Sequence, residues 1–550
     1  MSRHGIPERE SLHVEFKSDA KRLPDSELVL AAVCLANTEG GVIYLGVEDD
    51  GTITGLRPDH QDTTGIAVLI ANKTVPPLSV RSSLLEVAGR KVAKVEVPRS
   101  TRLVATSGGT LQRRRLMADG APACVPFLPH EFATRESDLG LADVSALPVA
   151  GAREDALDPV ERQRLRQAIE RYKGDRSLLT LDDAQLDGAL GLSRTQDGNR
   201  VPTLTGLLLI GREDAIRDHV PTHEVAFQVL SGTSVRVNDF YRWPLIRLFE
   251  RVEEQFHARV EERELQAGLY RVPVPNADPG AFREAFLNAL AHRDYTRLGA
   301  IHVRWSGEVL TVSSPGGFVE GVTLQNLLVV EPRPRNPRLA DAIKRVGLAE
   351  RTGRGVDLIF QGLLRYGRPA PDYGRSDAAG VAVDMSCREA DLGFLEIVLE
   401  HEKRLGGPLA IDGLIVLAKL REVRRADTAE LGVALQKDAA AARSTLESLL
   451  EAGLVQAHGV KKGRTYTLSP AVYKKLGRTA AYVRQVGFDK LQQEQLILKL
   501  IEQQGSIRRR DVIDLCRLSA DQAKRLLSAL VERGVLRREG ADKSTVYERA

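Results

Sequence analysis

The chain has 550 residues, 43% of them hydrophobic and 28% charged, which excludes a disordered or membrane-embedded polypeptide and fits a soluble protein of several domains. A net charge of +4 excludes a global field for polyanions, so any nucleic-acid surface has to be a local patch. Cys34, Cys124, Cys387 and Cys516 lack metal-ligand spacing and read as reduced thiols of a cytoplasmic protein, and neither a signal core after Met1 nor a membrane-length apolar run is present.

In chain order, the first informative stretch runs from Glu10 to Asp50. Val14-Glu15-Phe16-Lys17 alternates as a strand, which puts Glu15 and Lys17 on one face. Asp25-Ser26-Glu27 starts a helix through Leu28 to Ala36, Gly40-Gly41 ends it, and Val42 to Val47 is a buried strand. Asp50-Gly51 is a tight turn and predicts a hairpin into Thr52-Ile53-Thr54. A helix is expected over 63–72, then a hairpin of 84–87 with 91–97 about Ala88-Gly89-Arg90. Arg113, Arg114 and Arg115 follow in a strand or loop and suit phosphate contact. The same residues also admit ordinary roles: a Glu15–Lys17 ion pair, turn chemistry at Asp49-Asp50-Gly51, and a charged sheet edge.

The pattern Glu10-Ser11-x-x-x-Glu15-Phe16-Lys17, followed by Asn37-Thr38-x-Gly40-Gly41-x-Ile43-x-x-Gly46-Val47-x-Asp49-x-Gly51, resembles the Schlafen AlbA-type domain. The resemblance covers the first quarter of the chain and implies a small α/β domain that meets nucleic acid. In nuclease members, carboxylates equivalent to Glu10, Glu15 and a third just after the second strand, here Glu48 or Asp49, bind Mg²⁺ or Mn²⁺ for cleavage of RNA or DNA. Lys17 would then contact the phosphate. Other members carry the pattern without implied cleavage.

The segment 136–154 reads as a linker. Helices are expected over 158–172 and 179–192, a buried strand over 203–210, a strand over 223–230 and one long charged helix over 244–265. This section carries no catalytic motif and reads as scaffold.

The next informative stretch starts at Phe282. On a helix, Glu284, Asn288 and His292 share a face, while Phe286, Leu287 and Leu290 turn to the core. A hairpin is expected from 301–305 and 309–313, followed by Ser314-Pro315-Gly316-Gly317, then Arg335-Asn336-Pro337 and Arg351-Thr352-Gly353-Arg354-Gly355. This arrangement resembles the GHKL (histidine-kinase-like) ATPase fold. The resemblance implies that Glu284 activates water, that Asn288 is a Mg²⁺ ligand, and that Gly316, Gly317, Gly353 and Gly355 border ATP. The sequence departs from that family where Ser314-Pro315 stands in place of the aspartate that reads adenine. No G-x-x-x-x-G-K-[ST] occurs, which excludes a P-loop motor.

From Leu392 the pattern turns helical, and two related units appear, at about 409–468 and 491–548. Each orders helix, helix and hairpin as a winged helix does. Candidate duplex contacts are Lys437, Arg443, Lys461, Lys462 and Arg464 in the first, and Arg508, Arg509, Arg510, Lys524, Arg525 and Lys543 in the second.

The sequence therefore predicts an α/β (α+β) multidomain protein. Its parts are a Schlafen AlbA-like domain at 1–135, linker and α/β scaffold at 136–275, a GHKL-like sandwich at 276–390, and winged helices at 391–475 and 476–550. The expected function is that of a nucleic-acid-binding transcriptional regulator, oligomeric, nucleotide-responsive and favouring DNA over RNA. The alternative is a metal-dependent Schlafen-like endonuclease with a role in defence. Expected cofactors are Mg²⁺ or Mn²⁺, held by Glu10, Glu15, Asp49 and Asn288, and ATP.

Overall fold

The structure is a computed structural model that describes residues 6–117, 120–128, 131–140, 142–267, 270–349, 354–459, 464–476 and 493–540 (save 496, 499, 503, 517 and 519) and 545–550. It is a mixed α/β protein that divides into two compact units, Met1–Ala142 and Asp143–Ala550.

In the first unit, β1 (Val14–Lys17) runs parallel to β2 (Gly41–Leu45), as a strand–helix–strand crossover through α1 (Asp25–Ala36) requires. α1 is buried from Leu28 to Ala36 apart from Leu30, so it is a core helix with no solvent face. The expected helix forms as α2 (Thr63–Asn72), and the hairpin forms as β3 (Arg81–Val87) and β4 (Arg90–Val97), giving the sheet order β1-β2-β4-β3. Asp50-Gly51 does turn the chain, with Asp50 accepting the Thr52 N–H at 2.8 Å, but the return pairs only at the bridge Val47–Ile53. A separate hairpin, β5 (Gln112–Leu116) with β6 (Pro122–Pro126), lies against α1 and brings Cys124 to Cys34. These two are disulfide-bonded across a separation of 90 residues, which corrects the expectation of four reduced thiols; Cys387 and Cys516 are free.

In the second unit, one hydrophobic core runs from Ala152 to Cys387 and joins the section read as scaffold to the one read as GHKL-like. α3 (Pro159–Arg171) starts as its residues demand, with Pro159 at the first position and Asp158 capping the Val160 N–H at 2.8 Å. The apolar run read as a strand at 203–210 is instead helix α4 (Leu204–Ile210), capped by Thr203 and buried at every residue. A short apolar run has no period, so its pattern cannot separate a buried strand from a buried helix. The close approach of Leu192 O, 1.9 Å from where a Cβ on Gly206 would lie, decides the packing.

β7 (Val225–Ser231) and β8 (Ser234–Tyr241) lead into α5 (Leu245–His257). The expected helix to 265 stops at His257 because its stripe of Leu245, Leu248, Phe249, Val252 and Phe256 ends there. The charged residues beyond form the hairpin Glu262–Ala267 with Tyr270–Pro275. α6 (Pro279–His292), β9 (Ile301–Ser306), β10 (Val309–Pro315), α7 (Pro337–Val346), α8 (Gly355–Leu364) and β11 (Gly380–Ser386) complete a five-stranded sheet ordered β8-β7-β9-β10-β11.

A second core, from Leu364 to Val472, contains α9 (Leu392–Leu405), α10 (Ile411–Val423), α11 (Thr428–Leu435), α12 (Ala439–Glu451), β12 (Val455–His458) and β13 (Thr465–Leu468). The last core contains α13 (Arg509–Cys516), α14 (Ala520–Glu532), β14 (Leu536–Glu539) and β15 (Val546–Arg549). The four elements α13 to β15 repeat α11 to β13 at a constant offset of 81 residues, as 428 to 509, 439 to 520, 455 to 536 and 465 to 546 show. Even the bridges repeat: Ala426 pairs Tyr466, and Ile507 pairs Tyr547.

α8 lies along α6 through two glycines on one face. A Cβ on Gly362 would lie 2.6 Å from Asp278 Oδ1 and 2.9 Å from Ala281 Cβ, while Gly188, in the helix 183–190, has nothing within 4 Å. Gly188→Ala is therefore expected to stabilise the chain by about 0.5–1 kcal/mol through helix propensity, and Gly362→Ala to destabilise it by about 1–3 kcal/mol through overpacking. Urea unfolding of the two variants against wild type checks the opposite signs.

Candidate functional site

In the first unit the carboxylates converge on a buried arginine. β5 alternates, so Arg113 and Arg115 face one way and Arg114 the other. The Arg114 side chain is 1% exposed; its Nη1 touches Glu15 Oε2, and its Nη2 lies 3.8 Å from Glu10 Oε1. Arg114 Nε donates to Ser11 O at 2.8 Å and Nη2 to Val14 O at 2.9 Å. Glu15 also meets Lys17 Nζ at 2.5 Å, and Glu10 Oε1 accepts the Phe16 N–H at 2.8 Å. Burial pushes the Arg114 guanidinium down, opposed by Glu10. The alternation that put Glu15 beside Lys17 thus yields a knot of four charges, Glu10, Glu15, Lys17 and Arg114, two of which, Lys17 and Arg114, the sequence had placed at phosphate.

The other candidates of this unit stand apart from that knot. Glu48 accepts from the Ser18 and Thr54 hydroxyls, each at 2.7 Å, and Asp49 is exposed. Among the described residues no group of three or more His, Cys, Asp or Glu could hold a metal ion, so the set Glu10, Glu15 and Asp49 is not brought together. Arg113 pairs with Glu131 and lies over Phe127, which leaves Arg115 as the exposed member of the triplet.

In the second unit Glu284 and Asn288 of α6 line a cavity of about 420 Å³. α6 is set by Asp278, which caps the Ala281 N–H at 2.8 Å, and by Pro279 at its first position. Its far end is held by side chains: Asn336 donates to Ala291 O and Arg293 O, and Arg335 to His292 O at 3.1 Å and Gly317 O at 2.7 Å. Glu284 is buried. A Cβ on Gly355 would lie 2.7 Å from Glu284 Oε2 and 3.4 Å from Asn288 Nδ2, so the glycine lets the start of α8 close over both groups. α8 has no side-chain cap at that end. Gly317 lines the cavity, whereas Gly316, at φ +96°, turns against Asp294. Gly353 lies outside the described residues.

The walls are apolar, from Val312, Ile343, Ile359 and Val383, with cations from Lys344, Arg333 and Arg354. The sequence reading missed those cations and the segment 318–334, whose residues Leu327 to Pro334 form one wall. The only sequence signal for that wall is its alternation of proline and arginine from Pro332 to Arg335. His292 also lines the cavity; burial, with Arg335 and Lys344 nearby, pushes its imidazole down to about 4. His223, just ahead of β7 and 2.9 Å from Trp243 O, is likewise pushed down to about 4 by burial.

Of the C-terminal candidates, Arg508, Arg509, Arg510, Lys524 and Arg525 are exposed. Arg464 stacks over Tyr466 at 5.4 Å, and Lys437 is paired with Asp412 at 2.6 Å. Lys461, Lys462 and Lys543 lie outside the described residues.

Residues 10–116 match the family described as Schlafen, AlbA_2, and residues 299–383 match “Putative ATP-dependent DNA helicase recG C-terminal”. Residues 133–226 match a domain of unknown function. The chain thus carries a Schlafen AlbA_2 domain and a recG-type C-terminal domain with the ATPase-like fold. No curated protein matches the chain. It is similar to the crystal structure of the DIP2311 protein from Corynebacterium diphtheriae, with 23% identity over 85% of this chain and 94% of that one at a TM-score of 0.51, a likeness of fold.

Arg114→Met leaves Glu10 and Glu15 without their buried partner and is expected to cost about 3–5 kcal/mol. Arg114→Lys should restore little of it, since one ammonium cannot span both carbonyls and both carboxylates. Urea unfolding with the disulfide intact measures both. For His223 and His292 the unfolded chain, with pKa near 6.5, takes up protons before the folded one does. Stability is therefore full above that pH and falls as the pH drops toward about 4, by about 3 kcal/mol for the fully buried His223. Denaturant titrations across this range should show a shallower fall in His292→Gln than in wild type.

Proposed function

We propose that this protein is a nucleotide-responsive, DNA-binding regulator, with nucleic acid bound by the N-terminal domain and by C-terminal repeats that act as winged helices. The observation that carries the reading is the convergence of Glu284, Asn288, the uncapped start of α8 and three cations on one apolar cavity. Apolar walls suit a base, and helix-terminal N–H groups with Lys344 and Arg354 suit phosphates. The carboxylate of Glu284 and the carboxamide of Asn288, side by side on the wall of the cavity, are an oxygen donor set that suits Mg²⁺ beside a phosphate. Mg²⁺ would neutralise phosphate charge there, held by Asn288, while Glu284 orients water. Ser314 occupies the place of the adenine-reading aspartate, and Asp294 nearby is committed to Thr296 and Arg297, so base selection rests on shape and backbone groups.

Support for nucleic-acid binding comes from the Schlafen AlbA_2 match and from exposed cations on separate elements: Arg115 on β5, and Arg508, Arg509, Lys524 and Arg525 in the last repeat. In a winged helix, α14 would enter the major groove and its hairpin would meet phosphates. The endonuclease alternative requires Glu15 to leave both Arg114 and Lys17 before it could ligate a metal.

The test incubates the full chain with labelled single-stranded, duplex and transfer-RNA probes, with Mg²⁺ or Mn²⁺ and with or without ATP, resolving shift from cleavage. A salt-sensitive shift of duplex DNA without cleavage is expected. Arg509→Ala and Lys524→Ala should each reduce the salt slope by about one. Metal-dependent cleavage that disappears in Glu15→Gln would instead make the protein a nuclease. In calorimetry, Asn288→Ala should weaken Mg-nucleotide binding by about tenfold or more; absence of binding to wild type would remove the nucleotide from the reading.

A further inference from the structure

One wall of the cavity is fastened to the first C-terminal repeat. Gln436, in the turn between α11 and α12, accepts the Leu328 N–H at 2.8 Å and donates to Leu324 O at 2.9 Å. Its amide therefore holds the backbone of the segment 318–334 at two points, while the Leu328 side chain packs on the core of that repeat. Gln436 holds this position at φ 56°, in the left-handed region that closes α11. The clamp is specific to one copy, since the residue 81 places on is Arg517.

The same turn leads into α12. Lys437 follows Gln436 directly, and Asp438 caps the new helix by accepting the Ala440 and Ala441 N–H groups. When such a helix enters a major groove, its first residues approach the bases. A chain clamped at Gln436, two residues ahead of the cap Asp438, occupies the approach.

We propose that segment 318–334 is a lid latched to the first C-terminal repeat by Gln436, so that nucleotide in the cavity and a DNA duplex on α12 exclude one another. This deepens the nucleotide reading given above and rests on it. A nucleotide stabilises the lid as the wall it contacts, the latched lid covers the turn, and a duplex must displace the lid to seat α12. By linkage each ligand weakens the other by the same factor.

The experiment uses the full chain with Gln436→Asn, which keeps a residue at ease in the left-handed region but is too short to reach both lid groups. Leu328→Ala, on the lid side, is the second variant. Three readouts are taken: hydrogen exchange across 318–334, affinity for a mixed-sequence duplex of about 30 base pairs, and affinity for the magnesium complex of a non-hydrolysable ATP analogue. Without nucleotide, both variants should exchange the lid about tenfold faster and bind duplex about fivefold more tightly than wild type. In wild type the ATP analogue should weaken duplex binding about fivefold, and in Gln436→Asn by less than about twofold.

If lid exchange and duplex affinity are the same in wild type and both variants, the latch is overturned whatever the nucleotide does. If the analogue binds wild type yet leaves duplex affinity unchanged, the mutual exclusion is overturned. If the analogue does not bind wild type, the nucleotide reading fails and the exclusion with it, while faster exchange and tighter duplex binding in the variants would still establish the latch.

Discussion

The second unit depends on how closely α8 can approach α6. Gly355 and Gly362 are seven residues apart, two turns of helix, so both face the same neighbour. At one end Gly362 rests on Asp278, the cap of α6, and at the other Gly355 rests on Glu284 and Asn288. A side chain at either place would hold the helices apart and move the start of α8 away from the two polar groups it covers. Along the same helix, Ile359 and Leu363 belong to the large core, whereas Leu364 and Phe360 pack into the next one. One short helix therefore floors the cavity and joins two cores, which fixes the cavity relative to the first repeat.

How much of this was legible follows from the kind of signal each element leaves in sequence. The first unit was readable because its elements are local: alternation for β1, a long apolar run for α1, and turn residues at Ala88-Gly89 and Asp50-Gly51. The Glu284–Asn288 face was readable from helical spacing alone. The strand assigned to 203–210 failed because burial on all sides erases periodicity, and the helix assigned to 258–265 failed because alternating Glu and Arg residues suit an exposed strand as well as an exposed helix. The Cys34–Cys124 bond and the Gln436 clamp left no trace, since each joins residues distant in sequence, 90 apart for the cysteines and 108 and 112 for the two bonds of Gln436.

The arginine triplet shows how one run of like charges in sequence is divided by the fold. Three adjacent cations look like one patch, but a strand divides them between two faces. Arg114 goes inward and meets two backbone carbonyls and two carboxylates, a set that its planar donors fit and a lysine would not. Glu10 and Glu15 are here counter-charges of a buried group. Any role of this face in nucleic-acid binding then falls to the cations that remain outside, Arg115 among them.

The C-terminal repeats separate what the fold needs from what each copy presents. Ala442, Leu446 and Leu449 are buried in the first copy and correspond to the buried Ala523, Leu527 and Leu530 in the second, so the inward face of the second helix is the same in both. The outward faces differ: Arg443-Ser444 stands where Lys524-Arg525 stands, and only the first copy has a glutamine in the turn, bonded to the cavity wall. Two copies with one core and two surfaces are fitted to different neighbours. In the first copy the neighbour is already in place within the same chain; in the second, Lys524 and Arg525 stand exposed on α14.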